Sequence, residues 1–219
     1  ALGIFGEPTR NEPIIQHKGV ARWDITVHGK SAHSSQPEHG RNAIVEMTKV
    51  IQAIEAYQES LQATHDNPLV SGPRISVTMI EGGAGRNIIP EACTIAVDFR
   101  IVPGCDPGTE VLKIIEALDE LGIDIGHYQP QVLTDPVSTS PEDSCVEPIL
   151  GICSDVLNHP VTPQGAPYGT DASRWPNEIP AVVIGPGDIK HAHAIDEHII
   201  LDDLMQGAEI YWRCMMTEW

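Results

Sequence analysis

The sequence predicts a fold of mixed class, α/β and α+β, in which a small domain of order β-α-β-β-α-β is inserted into an incomplete α/β layer. Alternating and helical hydrophobic periods follow one another over residues 20–130, and they give the small domain its element order. A wholly apolar run at 181–184 is typical of a strand buried on both faces, as in an α/β layer. The 19 glycines and 18 prolines indicate many tight connections and argue against a helical bundle.

The small domain begins with a strand at 20–29, where apolar and polar residues alternate up to a glycine. Apolar side chains recur at helical spacing from Asn42 to Tyr57, which predicts a helix from just after Gly40 to about Ser60. A second helix is predicted to begin at Asp106 and to end at Gly122. Three further strand patterns complete the order, at 75–80, 93–101 and 123–128. This is the ferredoxin-like arrangement of an antiparallel sheet with helices on one face.

The character of the sequence changes after Pro130. A helix is predicted from 141 to 157, a loop rich in glycine and proline from 165 to 170, and a last helix from 201 to 212. Together with the strand at 181–184, these elements are too few to form a sheet alone. The sequence therefore predicts three segments, listed in chain order: the end of a first α/β segment at 1–19, the small domain at 20–130, and a second α/β segment at 131–219.

The charge and composition of the chain exclude several classes of partner. Acidic residues outnumber basic ones by 31 to 13, so the surface repels both the phosphates of nucleic acids and anionic membrane lipid. No run of 18 apolar residues is present to span a bilayer, and no signal-peptide pattern follows Ala1. The five cysteines are odd in number and lack CxxC spacing, which favours a reducing cytoplasm over a disulfide framework or a cysteine zinc site.

Several familiar motifs are absent. The sequence has no phosphate-binding loop of the GxxxxGKS type and no GxSxG elbow, and Ile88 replaces the third glycine of a dinucleotide fingerprint. His191 and His193 have the spacing of a two-histidine metal clip, but Gly187 and Asp188 before them favour a loop over joint binding. No cysteine accompanies the candidate histidines in the pattern of a cysteine hydrolase.

Three polar clusters remain as candidates for chemistry. Glu7 directly follows an apolar run, where α/β folds present their ligands; the alternative is an exposed turn residue. His33 lies in a polar loop of small residues between a strand and a helix; the alternative is a surface histidine. His193 follows the buried strand with Glu197 four residues further on, which suits an oriented metal ligand.

Taken together, the stretches around these clusters resemble one family. The sequence is similar to the zinc-dependent aminoacylase and carboxypeptidase family of metallopeptidases, which includes acetylornithine deacetylase and succinyl-diaminopimelate desuccinylase. The matching stretches span nearly the whole chain in the family's order: GEPT (6–9), HKG (17–19), GKSAHSSQPEHGRNAI (29–44), EGGAGRNIIPE (81–91), VDFRIVPG (97–104), GTDAS (169–173) and IGPGDIKHAHAIDE (184–197). The resemblance implies that the ferredoxin-like domain is a lid inserted in a catalytic domain, through which two subunits form a homodimer.

The resemblance also implies an activity and a set of site residues. The family hydrolyses N-acyl amino acids or short peptides at a bond next to a carboxylate, using two zinc ions for which cobalt or manganese can substitute. Glu7 and His193 would each bind one of the two zinc ions, and His33 would stabilise the oxyanion in the partner subunit's active site. The residues that would hold the substrate or line its pocket are Asn87, Arg100, Gly169 and Thr170, and the arginine suits a bidentate grip on a carboxylate.

The sequence departs from the family before Glu7. In the family an HxD motif, a bridging Asp and a Glu-Glu pair of general base and ligand precede GEPT, but only six residues precede Glu7. A catalytic zinc site uses three protein ligands and a water. We therefore expect this chain to be the C-terminal part of such an enzyme, inactive without the missing upstream half. The alternative is a non-catalytic module for dimerisation or small-ligand binding, derived from the same family.

Overall fold

The protein divides into two compact units in a computed structural model that describes residues 1–65, 67–126 and 130–219. The layer unit comprises three segments, Ala1–Lys18, Pro68–Val70 and Pro136–Trp219. The lid unit comprises Gly19–Asn67 and Ser71–Asp135. Each unit has a hydrophobic core of its own.

The described strands of the layer unit have two to four residues, whereas the three longest strands of the lid unit have nine or ten. The strands are β1 Gly3–Phe5, β2 Ile14–His17, β3 Gly19–His28, β4 Ala32–His33, β5 Arg74–Gly82, β6 Ile88–Ile89, β7 Ala92–Ile101, β8 Val132–Thr134, β9 Val137–Ser138, β10 Gln164–Ala166 and β11 Ala181–Val183. The α-helices are α1 Ala43–Thr64, α2 Pro107–Asp119, α3 Val146–Leu157 and α4 Leu201–Met216. Single 3₁₀ turns lie at Pro37–His39, Asp171–Arg174 and Ile189–His191.

The lid unit is built on an antiparallel sheet of order β5-β7-β3-β8. β3 and β7 pair along their whole length, from Gly19 opposite Ile101 to His28 opposite Ala92. Alternate residues of these two strands, such as Trp23 and Phe99, are buried in one core with the apolar faces of α1 and α2. The strand order and the two helices are those of the predicted ferredoxin-like fold, which is confirmed.

Helix α1 starts where the sequence predicts and ends one turn later. Asn42 caps it, because the Asn42 side chain accepts hydrogen bonds from the backbone N–H groups of Ile44 and Val45. At the other end, the Gln58 amide donates to the Pro73 carbonyl at 3.1 Å and accepts from the Ile75 N–H, and Leu61 is buried. These contacts hold the last turns against β5, so the helix continues past Ser60 to Thr64.

The predicted strand at 123–128 is wrong over its described residues, while 127 and 128 lie outside them. Within 123–126, Ile125 forms an isolated bridge with Val27. The fourth strand of the sheet is instead β8, which pairs with β3 opposite Val20–Arg22, and the Thr134 hydroxyl accepts from the Val20 N–H. The lid unit therefore extends to Asp135, five residues beyond the predicted end.

The layer unit contains a mixed sheet of order β1-β11-β2-β10, with β9 paired to β2. β1 and β11 run parallel, Gly3 opposite Ala181 and Phe5 opposite Val183. As predicted, β11 is buried along its whole length. Helices α3 and α4 share a core with this sheet, which includes Ile149 and Ile210.

Both helices of the layer unit differ from the predicted bounds. α3 begins at Val146 and not at 141, because residues 140–143 form a turn closed by the Asp143 N–H and the Ser140 carbonyl. The Asp143 carboxylate then accepts from the Cys145 N–H, just before the helix. α4 continues to Met216 because Cys214 still packs in the core. Among the described residues, no helix combines the length and the apolar character needed to cross a bilayer.

Candidate metal and substrate site

Glu7 lies at the edge of the layer sheet where two parallel strands end. β1 ends at Phe5 and β11 ends at Val183, so the segments that follow them, Gly6–Pro8 and Gly185–Gly187, leave the sheet side by side. A pocket of about 260 Å³ opens between these segments. Its lining includes Glu7, Asp188, His191, Glu197 and His198.

Hydrogen bonds hold these two segments together closely. The Thr9 hydroxyl accepts from the Gly185 N–H at 3.1 Å, and the Arg10 N–H donates to the Gly187 carbonyl at 2.7 Å. A Cβ on Gly185 would lie 2.7 Å from the Glu7 carbonyl oxygen, so only glycine permits this approach. The Arg10 guanidinium also donates to the Asp188 carboxylate at 2.8 Å.

Glu7 interacts electrostatically with Asp171 and His193. Burial and the negative charge of Asp171 raise the pKa of Glu7, and the positive charge of His193 lowers it. His193 itself is exposed and adopts a left-handed conformation with φ of 64°, while its N–H donates to the Glu197 carboxylate at 2.8 Å. Glu7 and His193 thus interact electrostatically although they lie 186 residues apart in the sequence, and their role as metal ligands stays a prediction.

Gly169 and Thr170 lie in the segment that leads to Asp171. The Thr170 hydroxyl lies 3.0 Å from Nε2 of the buried His17 and also accepts from the Ala172 N–H at 3.2 Å. The hydroxyl of Thr170 is therefore engaged within the protein, and its predicted part in the substrate pocket stays a prediction, as does that of Gly169.

In the lid unit, a two-stranded ribbon places His33 beside Asn87. His33 of β4 stands opposite Ile88 of β6, and the Ser34 N–H donates to the Asn87 carbonyl at 3.0 Å. The Ser35 N–H donates to Nδ1 of His33 at 3.2 Å, so in the neutral ring the proton is on Nε2. The exposed His33 thereby presents an N–H donor, which is what oxyanion stabilisation requires.

Arg100, in the same unit, is held by a neighbour on its own strand. Its Nε and one terminal nitrogen donate to the two oxygens of Asp98, at 2.6 and 3.3 Å. Asp98 also accepts from Arg22 of β3 at 2.7 Å. The Arg100 guanidinium is thus already in a bidentate ion pair, and its grip on a substrate carboxylate stays a prediction.

The described cysteines do not suit nucleophilic catalysis. Burial raises the pKa of both Cys145 and Cys153 to about 12, so the thiol form predominates near neutral pH. This agrees with the absence of a cysteine-hydrolase pattern in the sequence.

Comparison with known proteins identifies the family. A family model described as a peptidase dimerisation domain, that of M20 peptidases, matches residues 15–125, about half of the chain. The chain belongs to the M20 metallopeptidase family. Acetylornithine deacetylase from Myxococcus xanthus is 32% identical over 213 residues, which cover 93% of this chain and 54% of that protein. The enzyme of the same name from Aliivibrio fischeri is 33% identical over 204 residues, covering 90% of this chain and 52% of that protein.

Solved M20 structures share the fold. A metallo-carboxypeptidase from Sulfolobus solfataricus has a TM-score of 0.71 at 20% identity, over 94% of this chain and 60% of that one. An aminopeptidase from Bacillus cereus has a TM-score of 0.71 at 21% identity, over 92% of this chain and 52% of that one. The names of these relatives describe hydrolases, and this M20 chain spans about half the length of the curated relatives it matches.

The predicted metal ligands of this M20 chain are of the chemical type that zinc binds, but they are too few to form a zinc site alone. A carboxylate and an imidazole are ordinary zinc ligands, and Glu7 and His193 supply one of each. Within residues 1–65, 67–126 and 130–219, no group of three or more His, Cys, Asp or Glu side chains is arranged to hold a metal ion. Glu7 and His193 therefore fit a zinc centre only as members of a larger set of ligands.

Two residues at this site were not among the predicted ones. Asp171 acts on Glu7, and His17 binds Thr170; both stand in stretches that match the family, GTDAS and HKG. The signal that could have identified them is the match itself. Their roles depend on contacts between distant parts of the chain, which no local pattern contains.

His17 makes the stability of this chain depend on pH in a defined direction. Burial lowers the pKa of His17 below its ordinary value of 6.5. Above pH 6.5 the ring is neutral in both states; below it the unfolded chain takes up a proton that the folded chain does not. We expect the free energy of unfolding to fall by about 1.4 kcal/mol per pH unit from pH 6.5 down to the folded pKa. Urea unfolding of the wild type and of His17→Gln between pH 5 and 8 measures how the free energy of unfolding depends on pH. The same dependence in both proteins would contradict the prediction.

Proposed function

We propose that the whole protein is a co-catalytic zinc amidohydrolase, which cleaves the amide bond of N-acyl amino acids or a C-terminal peptide bond. This chain contributes part of the site. The observation that supports the proposal is that Glu7, at the edge of the layer sheet where β1 and β11 end, interacts electrostatically with Asp171 and His193 in a chain of the M20 family. In this proposal the whole protein is longer, as its relatives are, and the added part supplies the bridging Asp, the general base and the other zinc ligands.

In this proposal, the surroundings of Glu7 in the layer unit favour the binding of a cation. Burial and Asp171 disfavour the isolated negative charge of Glu7, so a cation that neutralises it there is stabilised. Glu7 and His193 would hold one zinc ion each. When bound, zinc polarises the scissile carbonyl and lowers the pKa of a water.

The lid unit contributes donors for the substrate. The Nε2–H of His33 would donate to the oxygen of the scissile carbonyl as negative charge develops on it, in the active site of the other subunit of a homodimer. Among the described residues, Asp98 engages two of the five N–H donors of Arg100, and in this proposal the other donors bind the substrate's carboxylate. Asn87 lies beside His33 on the ribbon and would bind the same substrate.

Hydrolysis by the whole protein tests this proposal directly. The zinc-loaded whole protein should release the acid and the amine from some members of a panel of N-acetyl and N-succinyl amino acids and dipeptides. The 219-residue chain alone should bind zinc weakly and show no turnover, because it lacks a general base. No turnover of any panel member by the whole protein would overturn the proposal, as would robust turnover by the 219-residue chain alone.

A homodimer through the lid is favoured by the free edge of its sheet. β5 is an edge strand, and exposed Ile80 stands opposite Ile95, on the face that the helices cover. Exposed Ile44 of α1 packs over Gly82, further along the same face. An edge strand whose outer side pairs with no described strand, with an adjoining apolar patch, suits pairing with its own copy around a two-fold axis.

Substitution at this edge should weaken the dimer. We expect Ile80→Lys to raise the dimer dissociation constant at least about tenfold, because it buries an unpaired charge. Leu133→Lys is the matched control, since Leu133 is an exposed apolar residue of β8 at the opposite edge. Sedimentation velocity measures both. Equal dissociation constants for Ile80→Lys and the wild type would place the dimer contact elsewhere.

The second candidate function is a non-catalytic dimerisation or ligand-binding module. The match of the family model to a dimerisation domain and the separate core of the lid unit favour it. It predicts a dimer with neither zinc affinity nor turnover in the whole protein.

The cytoplasmic location expected from the cysteine pattern stays a prediction.

A further inference from the structure

The segment 166–171, which carries Asp171, is bonded near both of its ends to the last residue of β2 and the residue that follows it. At its start, the Lys18 N–H donates to the carbonyl of Ala166 at 3.3 Å. At its end, the His17 ring and the Thr170 hydroxyl lie 3.0 Å apart, across 153 residues of sequence. The loop 167–169 is therefore closed by one backbone bond and one side-chain bond from neighbouring residues.

The proton positions at His17 follow from its partners. Nδ1 lies 3.0 Å from the Lys18 carbonyl, which can only accept, so Nδ1 carries the ring proton. Burial lowers the pKa of His17, so the ring is neutral and Nε2 is an acceptor. The Thr170 hydroxyl donates its one proton to Nε2 and accepts from the Ala172 N–H. Each polar atom in this chain of bonds has one defined role.

Two residues of this segment, Asp171 and Tyr168, interact electrostatically with Glu7. Asp171 is its last residue and raises the pKa of Glu7. Tyr168 is its middle residue: burial and the negative charges of Glu7 and Asp188 raise the pKa of Tyr168. The position of this loop thus decides which charges surround Glu7.

We propose that His17 is a positioning residue, whose Nε2 acceptor holds Thr170 and thereby keeps Tyr168 and Asp171 beside Glu7. The proposal rests on the proposed function, since it assigns His17 to the support of a metal ligand. Loss of the acceptor leaves the Thr170 hydroxyl without its partner at this half-buried position, and the loop is released at one end. Loss of a partner that hydrogen-bonds a metal ligand directly lowers metal affinity about 10–100-fold, and this range is the upper limit expected for His17, which acts on Glu7 through the loop.

Two pairs of variants in the whole protein test the role. His17→Asn keeps a donor near the Nδ1 position but does not reach Thr170, whereas His17→Gln places an amide oxygen near the Nε2 position. Thr170→Val removes the hydroxyl, and Thr170→Ser keeps it. We expect His17→Asn and Thr170→Val to lower zinc affinity by more than about threefold and at most about 100-fold in chelator competition, and the other two to stay within about threefold of the wild type.

A second readout needs no metal. In the metal-free whole protein, His17→Asn and Thr170→Val should speed hydrogen exchange over 167–172, including the Ala172 amide, while β3 and β7 stay protected. The double variant should lose no more zinc affinity than either single one, because both remove the same bond.

The outcomes separate this role from the proposed function. A wild type that binds no zinc would overturn the proposed function and, with it, the role of His17. A wild type that binds zinc, together with a folded His17→Asn variant that binds it equally well, would overturn the positioning role alone. Equal losses in His17→Asn and His17→Gln would also overturn it, because the acceptor would then not be the property that matters.

Discussion

Replacing His33 by alanine in the zinc-loaded whole protein is expected to lower kcat by about 10²–10³-fold and to change KM little. The reason is the proton on Nε2: Ser35 donates to Nδ1, so the exposed side of the ring is a donor. A donor aimed at the developing oxyanion acts in the transition state and not on the resting substrate. Steady-state kinetics on the best substrate of the panel measures the effect.

Zinc content and a neighbouring histidine provide the controls for this prediction. Zinc per chain should stay unchanged in His33→Ala, because His33 is not a proposed ligand. His39→Ala is the matched control, since His39 is an exposed histidine of the same lid segment. Mixing the His33→Ala and His193→Ala proteins should restore part of the activity, because one site of the mixed dimer has both groups intact. Normal kcat in His33→Ala, or no recovery on mixing, would contradict the role in the other subunit.

The sequence contains enough to predict the lid fold but not its last strand. The alternation along β3 and β7 indicates directly which side chains face the core, because helices cover one face of the sheet while residues between the buried ones, such as Arg22 and Asp24, are exposed. β8 has three residues, too few for a period to show, and it is defined by its pairing with β3 more than a hundred residues earlier. The pattern at 123–128 was the stronger local signal, but its described residues form only an isolated bridge with β3.

The same distinction applies to the candidate site. Glu7 and His193 could be predicted as neighbours because each follows an apolar run, and parallel strands end at the same edge of a sheet. The bond between His17 and Thr170 could not, since it depends on the register of β10 beside β2. The ion pair of Arg100 with Asp98 could have been predicted from the sequence, because residues two apart on a strand share a face and VDFR (97–100) places opposite charges on that face.

Replacing Glu7 by glutamine is expected to remove one of two zinc ions from the whole protein and to abolish most of its turnover. The change keeps the shape of the side chain but removes the negative charge, and a neutral amide is a poor zinc ligand. The expected loss of zinc affinity at that position exceeds the about 10–100-fold that loss of an outer partner costs. Elemental analysis of zinc per chain after dialysis gives the stoichiometry, and activity is measured on the same samples.

Asp171 makes a second, graded test of the same ligand. Its charge raises the pKa of Glu7, so Asp171→Asn should lower that pKa and weaken the attraction for a cation, without removing a ligand. We therefore expect Asp171→Asn to retain both zinc ions at saturating zinc and to lose affinity within the about 10–100-fold range, between the wild type and Glu7→Gln. Glu147→Gln, at an exposed carboxylate of α3, controls for the general loss of negative charge from the layer unit. Two zinc ions retained with unchanged affinity in Glu7→Gln would show that Glu7 is an ordinary turn glutamate, and that the cation at this edge of the sheet is held by other residues.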